Sequence, residues 1–369
     1  MKRKIIILSF LLIIFLVYCT TTDDIITIGS IQQLTGLMGK YGKTTMAAVT
    51  AQMELINEDR INKGLPEIRV IFEDDQLQPS VGVAAIRKLI DIDGAIAVLG
   101  AHGSSVTQAM APIAESNQVI LMSGASGSPA ISDAGDYIFR TCPSDFLEGS
   151  MMAQYYNENH PGKSLGIIYI NNDYGLGLKN VFNEKTDPKP AKVVELPYTQ
   201  GAVDFRSHLT RIKQENIEVV YIVGYEEMIT IYKQATELAL KCIWLGNNQL
   251  NDQSLIDRMG TTADGTVFPG HKFELEEIKS RNSRFYQRYL ELSEGEELDV
   301  FAAYGVEALQ IINYVMLEGA STGVEIKEAL YNISQFEGLN GTFHFDEHGD
   351  AIRILALYII QNGQIVKYQ

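Results

Sequence analysis

The stretch LGIIYINNDYGLGLKNVFNE, residues 165–184, carries the pattern that decides the fold. Its first six residues are apolar or glycine throughout, as in a strand buried on both faces of a parallel sheet. A polar loop with Tyr174-Gly175 follows, and then an amphipathic helix over 176–184. A strand that leads through a short loop into a helix is the repeating unit of a doubly wound α/β layer.

The same strand–loop–helix unit recurs before and after this stretch. Strands are predicted at 25–31, 68–72, 95–99, 119–122, 165–170, 192–196, 219–223 and 243–245. Helices are predicted at 44–62, 79–90, 105–116, 145–159, 176–184, 205–215 and 226–240. Tyr41-Gly42 follows the first strand of the first half, just as Tyr174-Gly175 follows that of the second. The fold class is therefore α/β, with two similar lobes built on parallel sheets.

The two lobes are predicted to share three crossings of the chain. We predict these crossings where a proline or a glycine interrupts the pattern, at Cys142-Pro143, Pro269-Gly270 and His348-Gly349. Lobe 1 would then comprise residues 25–142 and 271–346, and lobe 2 residues 143–270 and 347–369. Short connections of this kind act as hinges. Because ligands of α/β sheets lie beyond the carboxyl ends of the strands, we expect a binding site between the lobes.

The composition narrows the possible partners. The 369 residues include 30 Lys and Arg against 46 Asp and Glu, a formal net charge of −16. No basic cluster occurs after residue 4, so binding to a nucleic acid backbone is not expected. Hydrophobic residues make up 46% and charged residues 21%, which is an ordinary balance for a folded globular chain.

The N-terminus predicts export. Residues 1–4 include three basic side chains, and 5–18 are almost wholly apolar, too short to span about 30 Å of hydrocarbon but typical of a signal peptide. Cys19 follows at once, so we predict a signal peptide over 1–18 and a lipid-modified Cys19 that begins a tether over 19–24. Tyr18 is larger than the residue that usually precedes such a cysteine. Cleavage elsewhere, or an uncleaved anchor, is the alternative.

Chemical motifs give little support to an enzyme. His102 lies near Ser104, but no Gly-x-Ser-x-Gly elbow or phosphate-binding loop is present. No cysteine or histidine spacing indicates a metal site, and no cofactor is implied. Cys142 and Cys242 could pair in an exported protein or remain free thiols in the core.

Several loop residues allow either a structural or a binding role. Ser104 and Ser105 suit the N-cap of the helix that follows, but the same N–H groups could hold a carboxylate. Asp145 with Glu148 reads as a capping box. Tyr41 and Tyr174 could simply be exposed.

Landmarks spread over residues 25–369 resemble the extracellular solute-binding proteins of branched-chain amino acid ABC importers. These landmarks are Glu73-Asp74-Asp75-Gln76, the loop 100–108, Tyr137-Ile138-Phe139-Arg140-Thr141, Asn172–Gly177 and Asp204-Phe205. The resemblance implies the type I periplasmic-binding fold. In that Venus-flytrap arrangement, two lobes joined by a three-segment hinge close on a small polar solute.

The resemblance also implies anchors for the ligand in the first lobe. Family members hold an amino acid carboxylate with a serine and N–H groups, a role that falls on Ser104. A backbone carbonyl falls on Ala125. A hydroxyl two residues later falls on Gly127, which has none and leaves Ser126 or Ser128 as the substitute.

Further implied contacts come from Tyr41, the hinge acid Asp145, and the second-lobe aromatics Tyr174 and Tyr225. Where amino acid binders often place an acid for the ammonium group, this chain has Asn248. The neutral side chain leaves room for amides, urea-like compounds or aromatic acids. Two functions stay open: an exported lipoprotein that delivers an amino acid or amide-like solute to an ABC permease complex, or a receptor that reports ligand occupancy to a signalling partner.

Overall fold

The structure, a computed structural model, describes residues 25–36 and 38–368. The predicted signal peptide, the tether and Cys19 lie outside the described residues. A first sheet of five parallel strands has the order β2-β1-β3-β4-β5. Its strands are β1 (Ile26–Gln32), β2 (Ile68–Asp74), β3 (Ala97–Gly100), β4 (Ile120–Ser123) and β5 (Ile138–Arg140).

A second sheet of seven strands has the order β14-β13-β10-β9-β8-β6-β7. Its parallel strands are β6 (Leu165–Ile170), β7 (Val193–Tyr198), β8 (Val219–Val223), β9 (Ile243–Leu245) and β10 (Val267–His271). Two antiparallel strands, β13 (Leu355–Gln361) and β14 (Gln364–Lys367), extend its edge. A small hairpin comprises β11 (Phe336–Gly338) and β12 (Gly341–Phe343). The two sheets confirm the predicted α/β fold with two lobes.

Helices cover the sheets. In the first half they are α1 (Gly39–Asn62), α2 (Pro79–Asp91), α3 (Ser104–Asn117) and α4 (Asp145–Asn159). In the second half they are α5 (Asp173–Lys185), α6 (Arg206–Gln214), α7 (Glu227–Glu237) and α8 (Gln253–Met259). The C-terminal third adds α9 (Leu275–Arg281), α10 (Ser283–Leu292), α11 (Val300–Leu317) and α12 (Gly323–Asn332). Although α11 is long and apolar enough to cross a membrane, 67% of it is buried inside the fold, as in a core helix.

Two helices begin three or more residues earlier than predicted. Helix α1 begins at Gly39 rather than at residue 44, and α5 begins at Asp173 rather than at 176. Both Tyr-Gly pairs therefore lie in first helical turns packed against the end of a strand. A Cβ on Gly42 would stand 2.1 Å from the carbonyl oxygen of Gln33. Glycine at this position lets the helix approach the first sheet closely and points the neighbouring tyrosine between the lobes.

The chain passes between the sheets three times. It leaves the first sheet after β5, returns to the first lobe after β10, and crosses again before β13. Cys142-Pro143 follows β5, whereas Pro269-Gly270 lies inside β10 and His271 still pairs in the second sheet. The residue-level domain boundaries stay a prediction. Cys142 and Cys242 are both free thiols.

Two arginines bind the hinge segments together. The buried guanidinium of Arg140 donates from Nε and Nη2 to the two carboxylate oxygens of Asp350, at 2.6 and 2.7 Å. Arg353 donates to the carbonyl oxygen of Thr141 at 2.6 Å and pairs with the buried carboxylate of Glu307. These contacts connect the first crossing to the third.

Candidate functional site

A narrow cavity lies between the lobes, at the carboxyl ends of strands from both sheets. Six of the eight residues predicted from the sequence line it: Tyr41, Ser104, Ala125, Tyr174, Tyr225 and Asn248. The other lining residues are Gln33, Met38, Leu77, His102, Gly103, Gln249 and Phe301. Gly127 and Asp145 are not part of the lining. No Asp, Glu, Lys or Arg side chain belongs to the lining among the described residues.

The first-lobe wall ends at the start of helix α3. Gly103 is the N-cap and forms no side-chain cap bond, so the expectation that a serine caps this helix is wrong. Ser104 is buried, and its Oγ accepts the N–H of Ser128 at 3.2 Å. Among the described residues, the N–H groups of Ser104 and Ser105 and the O–H of Ser104 have no acceptor. The positive end of a helix, with free donors, therefore borders the cavity.

The second-lobe wall is a pair of stacked tyrosines. The rings of Tyr174 and Tyr225 lie 5.3 Å apart with an interplanar angle of 11°. The hydroxyl of Tyr174 accepts from Nδ2 of Asn247 at 2.6 Å and donates to Oδ1 of Asn248 at 3.5 Å. Tyr174 is only 5% exposed, so the alternative of a solvent-exposed side chain is wrong. These bonds hold the aromatic wall rigidly.

Tyr41 reaches across the cleft from the first lobe. Its hydroxyl donates to Oδ2 of Asp252 at 2.7 Å, and its ring packs edge-on against Phe301. Tyr41 is 3% exposed, so exposure is wrong here as well. Nearby, Ser105 Oγ accepts the N–H of Asp173 at 3.2 Å. These two hydrogen bonds bring the lobes into direct contact.

Asp145 and Glu148 lie immediately behind the cavity. The cap of α4 is Ser144, whose side chain accepts from the N–H of Phe146, so the predicted capping box is wrong. Burial raises the pKa of Asp145 to about 7, although Arg140 opposes the shift. Burial, and then the charge of Asp145, raise the pKa of Glu148 well above its ordinary value.

Gly127 belongs with Asp145 rather than with the cavity. Its carbonyl oxygen accepts the N–H of Asp145 at 2.8 Å, and a Cβ there would meet the Asp145 carboxylate at 2.0 Å. The hydroxyls of Ser126 and Ser128 do not line the cavity either. The first contacts Thr107 and the carbonyl of Ala101, and the second donates to the carbonyl of Asp173.

Several residues that line the cavity were not predicted from the sequence. Phe301 belongs to α11, in the C-terminal third, where no element had been predicted. His102 lies in the predicted loop, but its Nε2 contacts Oγ1 of Thr45 at 3.2 Å rather than Ser104. Burial lowers the pKa of His102 to about 4, so this side chain is neutral at pH 7. Within 25–36 and 38–368, no three His, Cys, Asp or Glu side chains come together as metal ligands.

Comparisons with known proteins agree with this architecture. The sequence pattern of the family described as periplasmic binding protein matches residues 25–364. The Leu/Ile/Val-binding protein homolog 3 of Brucella melitensis is 26% identical over 341 residues, 88% of either chain.

Two solved structures share the fold. A leucine binding protein from Thermotoga maritima has a TM-score of 0.81 at 24% identity, over 93% of this chain and 98% of that one. A solute binding protein of an ABC transporter from Rhodopseudomonas palustris, in complex with 3,4-dihydroxybenzoic acid, has a TM-score of 0.81 at 20% identity, over 93% and 96%. With two sheets, a cleft between them and a family match over almost the whole described chain, the protein belongs to the periplasmic binding protein family.

Proposed function

We propose that this chain is the solute-binding protein of an ABC importer and captures an amino acid, or a related small carboxylate or amide, between its lobes. One observation carries the proposal: free donors at the start of α3 face a stacked tyrosine wall across the interlobe cavity. Such a cavity suits a small molecule with a negative or carbonyl end and an apolar body. The membership in the family and the names of the similar proteins support the same class of ligand.

In this proposal, different lining residues bind different parts of the ligand. Ser104 and the N–H groups beside it bind the anionic or carbonyl end of the ligand. Tyr41, Tyr174 and Tyr225 enclose the body of the ligand, and the carbonyl oxygen of Ala125 accepts a hydrogen bond. Asn248 lies at the far end of the cavity, where it contacts Tyr174.

Capture involves closure of the lobes about the three crossings, with 25–142 and 271–346 moving against 143–270 and 347–369. Hydrogen bonds across the cleft, such as Tyr41 to Asp252, would form as the cleft closes. The closed protein would then present both lobes to the permease complex. Exported protein would stay at the membrane through the lipid on Cys19.

Ligand binding should both stabilise and compact the protein. A compound that binds only the folded chain adds roughly 2.7 kcal/mol of stability at a hundredfold excess over Kd. A melting screen of amino acids, amides and small carboxylates should therefore produce at least one clear upward shift. X-ray scattering with that compound should give a smaller radius of gyration. Saturating binding with an unchanged radius would contradict closure, and a screen without any hit would contradict the proposed function.

Replacement of Cys19 by serine tests the lipid anchor. A protein with several acyl chains stays in the membrane fraction, whereas one without them is released or remains an uncut precursor. We expect wild-type protein in the membrane fraction and the Cys19→Ser protein outside it or unprocessed, measured by fractionation and mass spectrometry of the N-terminus. The Cys242→Ser protein, changed at a free thiol of the folded region, is the control and should fractionate like the wild type. An unmodified wild-type N-terminus at another residue would rule out the anchor.

A further inference from the structure

Two polar side chains that follow neighbouring strands of the first lobe line the cavity. Gln33 and His102 both belong to the lining. Strands β1 and β3 are parallel neighbours, and their last paired residues are Ile31 and Gly100. Gln33 and His102 each lie two residues beyond this pair. The carboxyl ends of adjacent strands therefore bring both side chains to the same edge of the first sheet.

Gln33 is buried without a donor for its side-chain carbonyl. The residue is 1% exposed, and its Oε1 is shielded from solvent and has no hydrogen-bond partner among the described residues. A buried polar atom without a partner is costly, and it is rare in native proteins. Because Gln33 lines the cavity, a ligand in the cavity is the group that can supply the missing donor.

His102 has the same deficiency at Nδ1. Its Nε2 contacts Oγ1 of Thr45 at 3.2 Å, whereas Nδ1 is shielded from solvent and has no partner within 25–36 and 38–368. In a neutral imidazole, one ring nitrogen carries the proton and the other accepts. If Nε2 accepts from Thr45, Nδ1 is a free donor, and if Nε2 donates, Nδ1 is a free acceptor. In either tautomer, a second uncharged hydrogen-bonding position adjoins the cavity.

A neutral hydrogen-bonding group of the ligand matches these two positions. A primary amide or a hydroxyl has both a donor and an acceptor, so it can donate to Oε1 of Gln33 and complement either tautomer of His102. An aliphatic group has neither and would leave both side chains unpaired when the cleft is closed. A charged group fits less well, because the described lining contains no Asp, Glu, Lys or Arg side chain to balance its charge.

We infer that Gln33, together with His102, determines ligand specificity by binding a neutral amide or hydroxyl on the body of the ligand, so that the protein selects polar solutes over aliphatic ones of the same shape. This inference rests on the proposed function and narrows its ligand class. A site that hydrogen-bonds such a group rejects the analogue without it, because buried polar groups of the protein then stay unpaired. The start of α3 still binds the anionic or carbonyl end, so the two interactions concern different parts of one molecule.

Pairs of compounds with matched shape test this selection in the wild-type protein. The probes are threonine with valine, asparagine with leucine, glutamine with methionine, and 4-hydroxybenzoate with 4-methylbenzoate, measured by calorimetry. In each pair, an apolar group of similar size replaces the neutral polar group. We expect the tightest probe to be a polar member and to bind at least tenfold more tightly than its apolar partner.

Replacement of Gln33 by methionine removes the amide and keeps the length of the side chain. We expect Gln33→Met to weaken the tightest polar probe at least tenfold and to leave the affinity for its apolar partner unchanged or higher. His102→Leu, which removes the second position, should weaken the same polar probe at least threefold. The control is Gln310→Met, because Oε1 of Gln310 is also shielded and has no partner in the described part of the chain, but Gln310 does not line the cavity. It should leave both affinities within about twofold of the wild type.

An apolar member that binds at least as tightly as its polar partner would overturn the inference and leave the proposed function standing, because water rather than the ligand would then satisfy Gln33. Equal affinity of the wild type and Gln33→Met for the tightest polar probe would overturn it as well, and equal affinity of His102→Leu would overturn the role of His102. If Gln33→Met does not fold, the comparison within the wild type decides. If no compound of the melting screen or of these pairs binds, the proposed function fails, and the inference fails with it.

Discussion

Replacement of Arg140 by methionine should lower the free energy of unfolding by about 3–5 kcal/mol, because it leaves buried charge and buried carbonyls without partners. The guanidinium is fully buried. It forms the bidentate pair with Asp350, and its Nη1 also donates to the carbonyl oxygens of Ser126, Gly127 and Ser128, at 3.2, 2.8 and 2.9 Å. Methionine can fill the space but can donate to none of these acceptors.

Equilibrium unfolding in urea measures the loss. Arg206, whose guanidinium is half exposed and pairs with Asp204 and Glu237, is the control. Arg206→Met should cost about 0–1 kcal/mol, as exposed ion pairs do. Asp350→Asn provides a milder test if Arg140→Met does not fold. The double variant should lose clearly less than the sum of the two single losses, since both remove the same pair. Additive losses would show that the two groups act independently.

The same arginine connects stability to the site. Its three carbonyl acceptors belong to the loop that follows β4, and this loop also places Ala125 in the cavity lining and provides the N–H that Ser104 accepts. The bonds from Arg140 hold this loop to the end of β5, where the chain enters the first crossing. Any variant that folds without Arg140 should therefore also bind ligand more weakly.

Eight of the ten parallel strands were predictable, most of them because they contain a short apolar run between loops, whereas β5 and β10 were not predicted. Strand β5 has a weak sequence signal because it is only three residues long and ends in Arg140, a charged residue whose burial depends on Asp350, 210 residues later. The antiparallel strands β13 and β14 are only partly buried, and β14 is mostly exposed. A search for continuously apolar runs therefore does not detect these two strands.

The short segments that follow strands identified most of the site residues, but the residue at which each helix begins was not predictable from the sequence. The N-cap of α4 lies one residue before the predicted one, and this difference determines the roles of Asp145 and Glu148. With Ser144 as the N-cap, Asp145 becomes the first helical residue, and Glu148 lies on the same face. Had Asp145 been the cap, as the local pattern indicates, Glu148 would instead have turned back to the helix terminus. The tertiary contact with Asn248, which no local pattern contains, settles where the glutamate points.

Replacement of Ser104 by alanine should weaken ligand binding tenfold to a hundredfold. The variant removes one hydrogen bond to a charged or strongly polar group, worth about 1.5–3 kcal/mol. The fold should survive, because no serine caps α3. The one bond lost inside the protein is that from the N–H of Ser128, a neutral hydrogen bond worth about 1 kcal/mol. Calorimetry with the best compound from the melting screen measures the change in Kd.

Ser116→Ala is the matched control, since Ser116 lies at the other end of the same helix and donates only to the carbonyl oxygen of Ile113. Its affinity should equal that of the wild type. A compound without a carboxylate or carbonyl at the matching end should also lose less affinity in Ser104→Ala, because a neutral or apolar end gains little from a donor at a positive helix terminus. Unchanged affinity for a carboxylate ligand would mean that the start of α3 only shapes the cavity, and the anionic end would then have to be bound by groups of the second lobe.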